Sequence, residues 1–163
     1  MTAIIYTFVP YLWVTIVLSA IILFLIVYVF KNTNILGGRY FLATLILALF
    51  WIIAQGLEMS ALTLKTKLMW ANIQYIPILC ITCSYLLMSL RFTGNKILKK
   101  KWLYPVLFSF PIIMNILIWI DDISFLFRQN VTLNTTGSFF TISKDFGPLF
   151  YIMATFNYLI VLI

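Results

Sequence analysis

Histidine is absent from this chain, and charged side chains are scarce at 9% of 163 residues, with four acids against eleven lysines and arginines. The missing histidine removes zinc-finger, Cys/His and Ser/His/Asp chemistry together. The six glycines form no phosphate-binding loop, and Glu58 has no second acid in its own helical segment to make a catalytic pair. No catalytic residue, metal site or cofactor is therefore expected. The shortage of charge excludes a water-soluble domain as well. Hydrophobic residues make up 64% of the chain, where a soluble domain has roughly half. A soluble protein of this length buries only about 70% of its unfolded surface and needs a polar shell that is missing here. Lipid has to be the outer solvent.

The formal charge of +7 does not point to nucleic acid, because the cations lie between apolar runs rather than on one basic face. They mark membrane topology. Cys80 and Cys83 sit within one apolar run, where free cysteine packs as a small hydrophobe. The first apolar run is no cleaved leader: it extends from about residue 9 to 30, no basic residue precedes it, and no small-residue cleavage site follows.

A bilayer core about 30 Å thick needs roughly 20 apolar residues in a helix. Five segments approach or meet that length, at about 9–30, 40–62, 70–92, 103–120 and 148–163. The expected fold is an all-α membrane protein, a polytopic bundle of five transmembrane helices forming one domain over residues 1–163. The last run ends at Ile163 with no cap, glycine or basic stop signal, so the gene is expected to continue. The loop at 121–147 carries two β-rich stretches, Phe125 to Leu133 and Ser138 to Ser143. Asn134, Thr135, Thr136 and Gly137 between them supply turn chemistry, which predicts a small external β-hairpin between helices four and five. Asn130 and Asn134 each open an N-x-[ST] sequon, of consequence only in a eukaryotic secretory pathway.

Polar groups at membrane depth are costly, so their positions are informative. Gln55 and Glu58 lie near the outer end of helix two, Asn72 and Gln74 near the start of helix three, and Asn115 close to the end of helix four. The inner halves are expected to be much more apolar. Three stripes, Trp70/Gln74/Pro77, Asn115/Trp119/Asp122 and Tyr151/Thr155/Tyr158, each share a helix face and are expected to line the bundle interior as a vestibule open to the outside. Asn72, Gln74 and Asn115 fit two roles, interhelical glue or ligand contact. Glu58 is either solvated beside Lys65 or neutral and hydrogen-bonded. Pro77 and Pro111 fit helix kinks, Lys99 to Lys101 an anchor for anionic headgroups, and Asp121 and Asp122 a solvated start of the fourth loop.

The stretch from Trp51 to Gly94 resembles the seven-helix sensor region at the N-terminus of many bacterial and archaeal sensor histidine kinases and some diguanylate cyclases. That family has a tryptophan and a Glu-Leu-like pair in helix two, Trp-Ala-x-x-Gln-Tyr opening helix three, and an (Arg/Glu)-Tyr-Thr-Gly exit. Here the corresponding residues are Trp51, Gln55-Gly56-Leu57-Glu58, Trp70-Ala71-Asn72-Ile73-Gln74-Tyr75 and Arg91-Phe92-Thr93-Gly94. Pro111 in helix four, the segment after Trp119 and Asp121, Gly147-Pro148-Leu149-Phe150-Tyr151 and Tyr158 continue the likeness. Thr82 and Cys83 stand where the family has prolines, and family helices six and seven and the output module are not in this sequence.

The resemblance implies a membrane-embedded sensory input domain that passes an external or membrane-borne signal to a cytoplasmic kinase or cyclase module, acting as a homodimer through the intact protein. The expected partners are membrane lipid and an unidentified small-molecule or membrane-borne signal, with no nucleic acid. The candidate pocket residues are Gln55, Glu58, Trp70, Asn72, Gln74, Tyr75, Asn115, Trp119, Tyr151 and Tyr158. A transporter or channel fragment and a purely structural membrane subunit are the alternatives. The first and third loops hold seven basic residues and the second and fourth hold four. The positive-inside rule then puts the N-terminus outside and loops 31–39 and 93–102 in the cytoplasm of a multi-pass cell-membrane protein. Alkaline phosphatase fused after Gly94 should therefore be inactive and a fluorescent protein fused there bright; the reverse pattern would refute the orientation.

Overall fold

The computed structural model describes residues 6–32, 35–120, 125–137 and 139–162. Helix α1 is Leu12–Lys31, α2 Gly38–Ser60, α3 Leu64–Phe92, α4 Leu103–Trp119 and α5 Pro148–Leu162. A 3-10 turn at Lys96–Lys99 joins α3 to α4, and strands β1 (Arg128–Asn134) and β2 (Thr141–Phe146) form an antiparallel hairpin between α4 and α5. Helices α1, α2 and α3 are long and apolar enough to cross a membrane. At 17 and 15 residues, α4 and α5 are shorter apolar helices. Asp121 and Asp122, expected at the end of α4, lie outside the described residues.

Helix α3 begins at Leu64 rather than near Trp70 and runs for 29 residues. The reason is local: Thr63 is extended and its Oγ1 accepts from the Thr66 amide at 3.2 Å, an N-cap that starts the helix early. Lys65 and Lys67 are thus helical and not loop residues. At the other boundary, Gly37 adopts φ +78° before α2, with the Phe92 ring 3.0 Å from where a side chain would begin. The strands sit about three residues later than expected, because 125–127 form a turn before β1. Asn134 Oδ1 accepts from the Thr136 amide at 3.0 Å, the Asx-type turn that the Asn-Thr-Thr-Gly stretch favours. Register shifts between Gln129 and Thr132, where Asn130 takes φ +50°, a conformation that asparagine tolerates better than most residues.

Helix α3 is the hub. Half of its apolar stretch is buried, against 17% for α2 and none for α1. Tyr75 and Leu79 join Met114, Ile118, Phe127 and Met153 in one core at the hairpin end. Cys83, Leu86 and Leu87 join Leu103, Leu107 and Ile160 in a second core at the opposite end. Pro77 and Pro111 are both fully buried. Proline at 111 has no N–H to give the carbonyl four residues back, and the Cys83 thiol donates to that carbonyl, Leu107 O, at 3.6 Å. Helix α1 approaches α2 at Gly56, where a Cβ would lie 2.9 Å from Thr15 Cγ2, a small-residue contact of the kind that lets membrane helices come close.

Eleven large apolar side chains of α1, among them Trp13, Phe24 and Phe30, are exposed. In water, leaving each of these about half uncovered forgoes roughly 1 kcal/mol. The total is on the order of 10 kcal/mol, comparable to the whole stability of a domain. In hydrocarbon that penalty vanishes.

Gly147 locks the hairpin to α5. Its amide donates to Phe127 O at 3.0 Å and the Leu149 amide to Leu126 O at 3.1 Å, while a Cβ at 147 would stand 2.1 Å from Leu126 O. Pro148 then opens α5 at the position where a missing N–H costs nothing. Gly147→Ala should lower stability by about 1–3 kcal/mol, the usual range for overpacking, measured by thermal unfolding in detergent micelles. An unchanged melting temperature would show that this junction is loose.

Candidate functional site

The polar residues gather at the hairpin end, where α2 stops and α3 starts. Glu58, in the last turn of α2, accepts a hydrogen bond at Oε2 from Gln74 Nε2 on α3. Lys67 lies seven residues before Gln74, hence on the same face of α3. It is only 2% exposed, and its Nζ donates to Glu58 O at 2.7 Å and Met59 O at 3.4 Å. A cation on the final carbonyls of α2 satisfies orphan acceptors and complements the negative end of the helix dipole. The side chain of Glu58 is thus hydrogen-bonded to an amide, and the lysine at its main chain is Lys67 and not Lys65.

Two grooves flank this pair. The first, of about 440 Å³, is lined by Glu58 of α2, Gln74, Tyr75 and Thr82 of α3, Lys144 and Phe146 of β2, and Asn157 and Tyr158 of α5. Deeper in the bundle Thr82 Oγ1 donates to Asn157 Oδ1 at 2.8 Å. Burial, reinforced by the nearby Arg128 charge, pushes the Lys144 ammonium below its usual range, and Glu58 opposes the shift. The groove therefore holds an acid and a partly desolvated base contributed by different elements.

The second groove, of about 530 Å³, lies between α3, α4 and β1 and includes Lys65, Asn72, Trp119 and Arg128. Arg128 is 8% exposed. Its Nη2 donates to Asn72 Oδ1, and its guanidinium carbon lies 5.7 Å from the centroid of the Tyr75 ring, within cation–π range. Tyr75 in turn meets Phe127 edge-on at 5.0 Å. Tyr75 is accordingly shared, lining the first groove and covering the cation of the second.

The ten candidates do not converge on one vestibule. Glu58, Gln74, Tyr75 and Tyr158 line the first groove, and Asn72 and Trp119 the second. Gln55 and Tyr151 are exposed. Trp70 Nε1 donates to Tyr6 Oη at 2.9 Å. Asn115 Nδ2 donates to Pro111 O at 2.8 Å, and its buried Oδ1 has no partner among the described residues. In the α5 stripe Tyr151, Thr155 and Tyr158 are exposed, while Met153 and Ile160 face the cores. The more apolar face of α5 has taken the protein side.

Lys67, Thr82, Arg128, Lys144 and Asn157 were not among the candidates. Lys67 was readable from its seven-residue spacing to Gln74. The two hairpin cations depend on register, and no local signal announced them. The opposite half of the bundle is also less apolar than expected: Tyr40 and Tyr104 hydroxyls meet at 2.9 Å, Thr44 Oγ1 donates to Ser84 Oγ at 3.1 Å, and Ser84 Oγ donates to Tyr40 O at 3.0 Å.

Residues 6–163 match the family described as the N-terminal 7TM region of histidine kinase. The chain belongs to that family. No curated protein and no solved structure matches it. Within a histidine kinase this 7TM region is the membrane sensory part and not the catalytic domain, which places the two grooves in an input module.

Replacing Glu58 separates the hydrogen bond from the charge. Glu58→Gln keeps an acceptor for Gln74 and should change stability by less than about 1 kcal/mol, whereas Glu58→Leu leaves a buried donor unmet and should cost about 1–3 kcal/mol. The check is thermal unfolding of both variants in micelles; equal melting temperatures for the two would mean the pair contributes nothing.

Proposed function

We propose that this 7TM region detects an external or membrane-borne signal at the groove between Glu58, Gln74, Lys144 and Tyr158, and transmits it by altered helix packing to a cytoplasmic histidine kinase module. All five helices cross the bilayer in this proposal, with the N-terminus and the hairpin outside, loops 31–39 and 93–102 inside, and two copies paired through the intact protein. The observation that carries the proposal is the composition of the groove. A carboxyl, an amide and a partly desolvated lysine come from α2, α3 and β2, so a ligand touching all three changes how those elements sit on each other. Such a ligand biases an equilibrium only through different affinity for two packings, and a groove built from several elements supplies that difference.

A transporter or channel would need polar lining continuing through the bundle. Within the opposite half Tyr40 instead pairs with Tyr104 and Thr44 with Ser84, which supports the sensor over that alternative. In the intact kinase, Glu58→Gln and Gln74→Leu should leave basal autophosphorylation within about twofold of native and reduce the signal-induced change by about tenfold, a loss equivalent to about 1.4 kcal/mol of differential binding. Measuring phosphorylated protein with and without stimulus in native-like membranes tests this; a full response in both variants removes the groove from signal detection.

A further inference from the structure

The groove between α3, α4 and β1 holds a buried cation with an unfilled valence. A guanidinium presents five N–H donors. One nitrogen of Arg128, Nη2, reaches Asn72, but Nη1 is buried without a partner among the described residues. Among the described residues no carboxylate is hydrogen-bonded to it, although Glu58 attracts it from farther off. Among the described residues the other ionic side chain lining this groove is Lys65, and Lys144 adds a second like charge nearby. The described carboxylates are engaged elsewhere, Glu58 with Gln74 and Asp145 with Asn130 Nδ2 at 2.8 Å. A buried charge left in this state is destabilising unless an anion completes it.

The rest of the groove says what kind of anion fits. Leu68 and Met69 of α3 and Ile118 and Trp119 of α4 form an apolar flank beside the two cations and the Asn72 amide. Its volume of about 530 Å³ is that of an ordinary small-molecule site. The forked geometry of arginine favours a two-oxygen anion over a halide.

We propose that this groove binds an amphiphilic oxyanion, a carboxylate or phosphate on an apolar body, with its head on Arg128 and Lys65 and its body along Leu68, Met69 and Ile118. The site is lined by a different set of residues from the Glu58 groove. A free amphiphile from outside and an anionic lipid headgroup share this chemistry, and the experiment distinguishes them.

The chain in zwitterionic phosphatidylcholine nanodiscs is titrated with decanoate, decanol and decyltrimethylammonium, reading stoichiometry by calorimetry and melting temperature by tryptophan fluorescence. Decanoate should saturate at one per chain and raise the melting temperature, with the alcohol and the cation at least tenfold weaker. Arg128→Gln should weaken decanoate at least tenfold and Lys65→Gln about threefold. Val131→Glu, which keeps Arg128 and adds a carboxylate to the groove wall, should abolish decanoate binding even if Arg128→Gln does not fold. In phosphatidylglycerol nanodiscs, an Arg128-dependent rise in melting temperature with weakened decanoate binding assigns the site to a lipid headgroup. Unchanged decanoate binding there assigns it to a free amphiphile. Equal binding of decanoate and decanol, native-like binding by Val131→Glu, or binding that appears only in Asp121→Asn/Asp122→Asn, which would make the counter-charge internal, each overturns the proposal.

Discussion

Hydrocarbon offers no hydrogen bonds, so each polar group in a membrane bundle has to find its partner within the protein. That constraint explains where α3 puts its side chains. Gln74 reaches Glu58, Thr82 reaches Asn157, Cys83 reaches the carbonyl that Pro111 leaves free, and Ser84 reaches the α2 backbone. One helix thereby ties α2, α4 and α5 together with groups that have nowhere else to bond. The hairpin obeys the same rule at its base, where Arg128 is drawn under the aromatic face of Tyr75.

A hub of this kind has a mechanical consequence. Helix α3 is 29 residues long, about 43 Å at the usual rise, and takes part in both hydrophobic cores. At one end it carries Gln74 and Tyr75 and at the other Arg91 and Phe92, the latter packed against Gly37 at the start of α2. Densely packed interiors move between discrete arrangements more readily than they deform continuously. Helix α3 thus meets α2 both beside the grooves, through Gln74 and Glu58, and at the distant Gly37–Phe92 contact.

The helices were legible in the sequence because an apolar run has only one use in lipid. The family was legible from Trp70-Ala71-x-x-Gln74-Tyr75 and Arg91-Phe92-Thr93-Gly94, strings whose fixed spacing survives the substitutions between them. Boundaries were less so: the early start of α3 depends on Thr63 as a cap, and Lys65 and Lys67 looked like loop residues until that cap was placed. The grooves were half legible. Glu58 and Gln74 stand out as polar groups in apolar helices, but their meeting depends on how α2 and α3 rotate against each other, which no single-helix pattern encodes. The α5 stripe misled for the same reason, since Met153 and Ile160 compete with Tyr151 and Tyr158 for the protein side and hydrophobic packing decided it. Arg128 and Lys144 lie on strands whose register is set by a bulge at Asn130, and a one-residue slip would have turned both away.

Structural glue and ligand contact differ in what they leave unsatisfied. A hydrogen bond between membrane helices is worth about 0.6 kcal/mol on average; Thr44 with Ser84, whose Oγ in turn donates to Tyr40 O, has this character. Pairs that merely hold a bundle need no open volume and no excess charge. The hairpin end has both. Lys144 is partly desolvated beside another cation, Arg128 keeps a buried nitrogen without a partner among the described residues, and both residues line grooves large enough for a small molecule. Polar groups that complete one another stabilise a single packing. Those kept incomplete beside open space leave the packing dependent on what fills that space, which is the property the proposed signal detection requires.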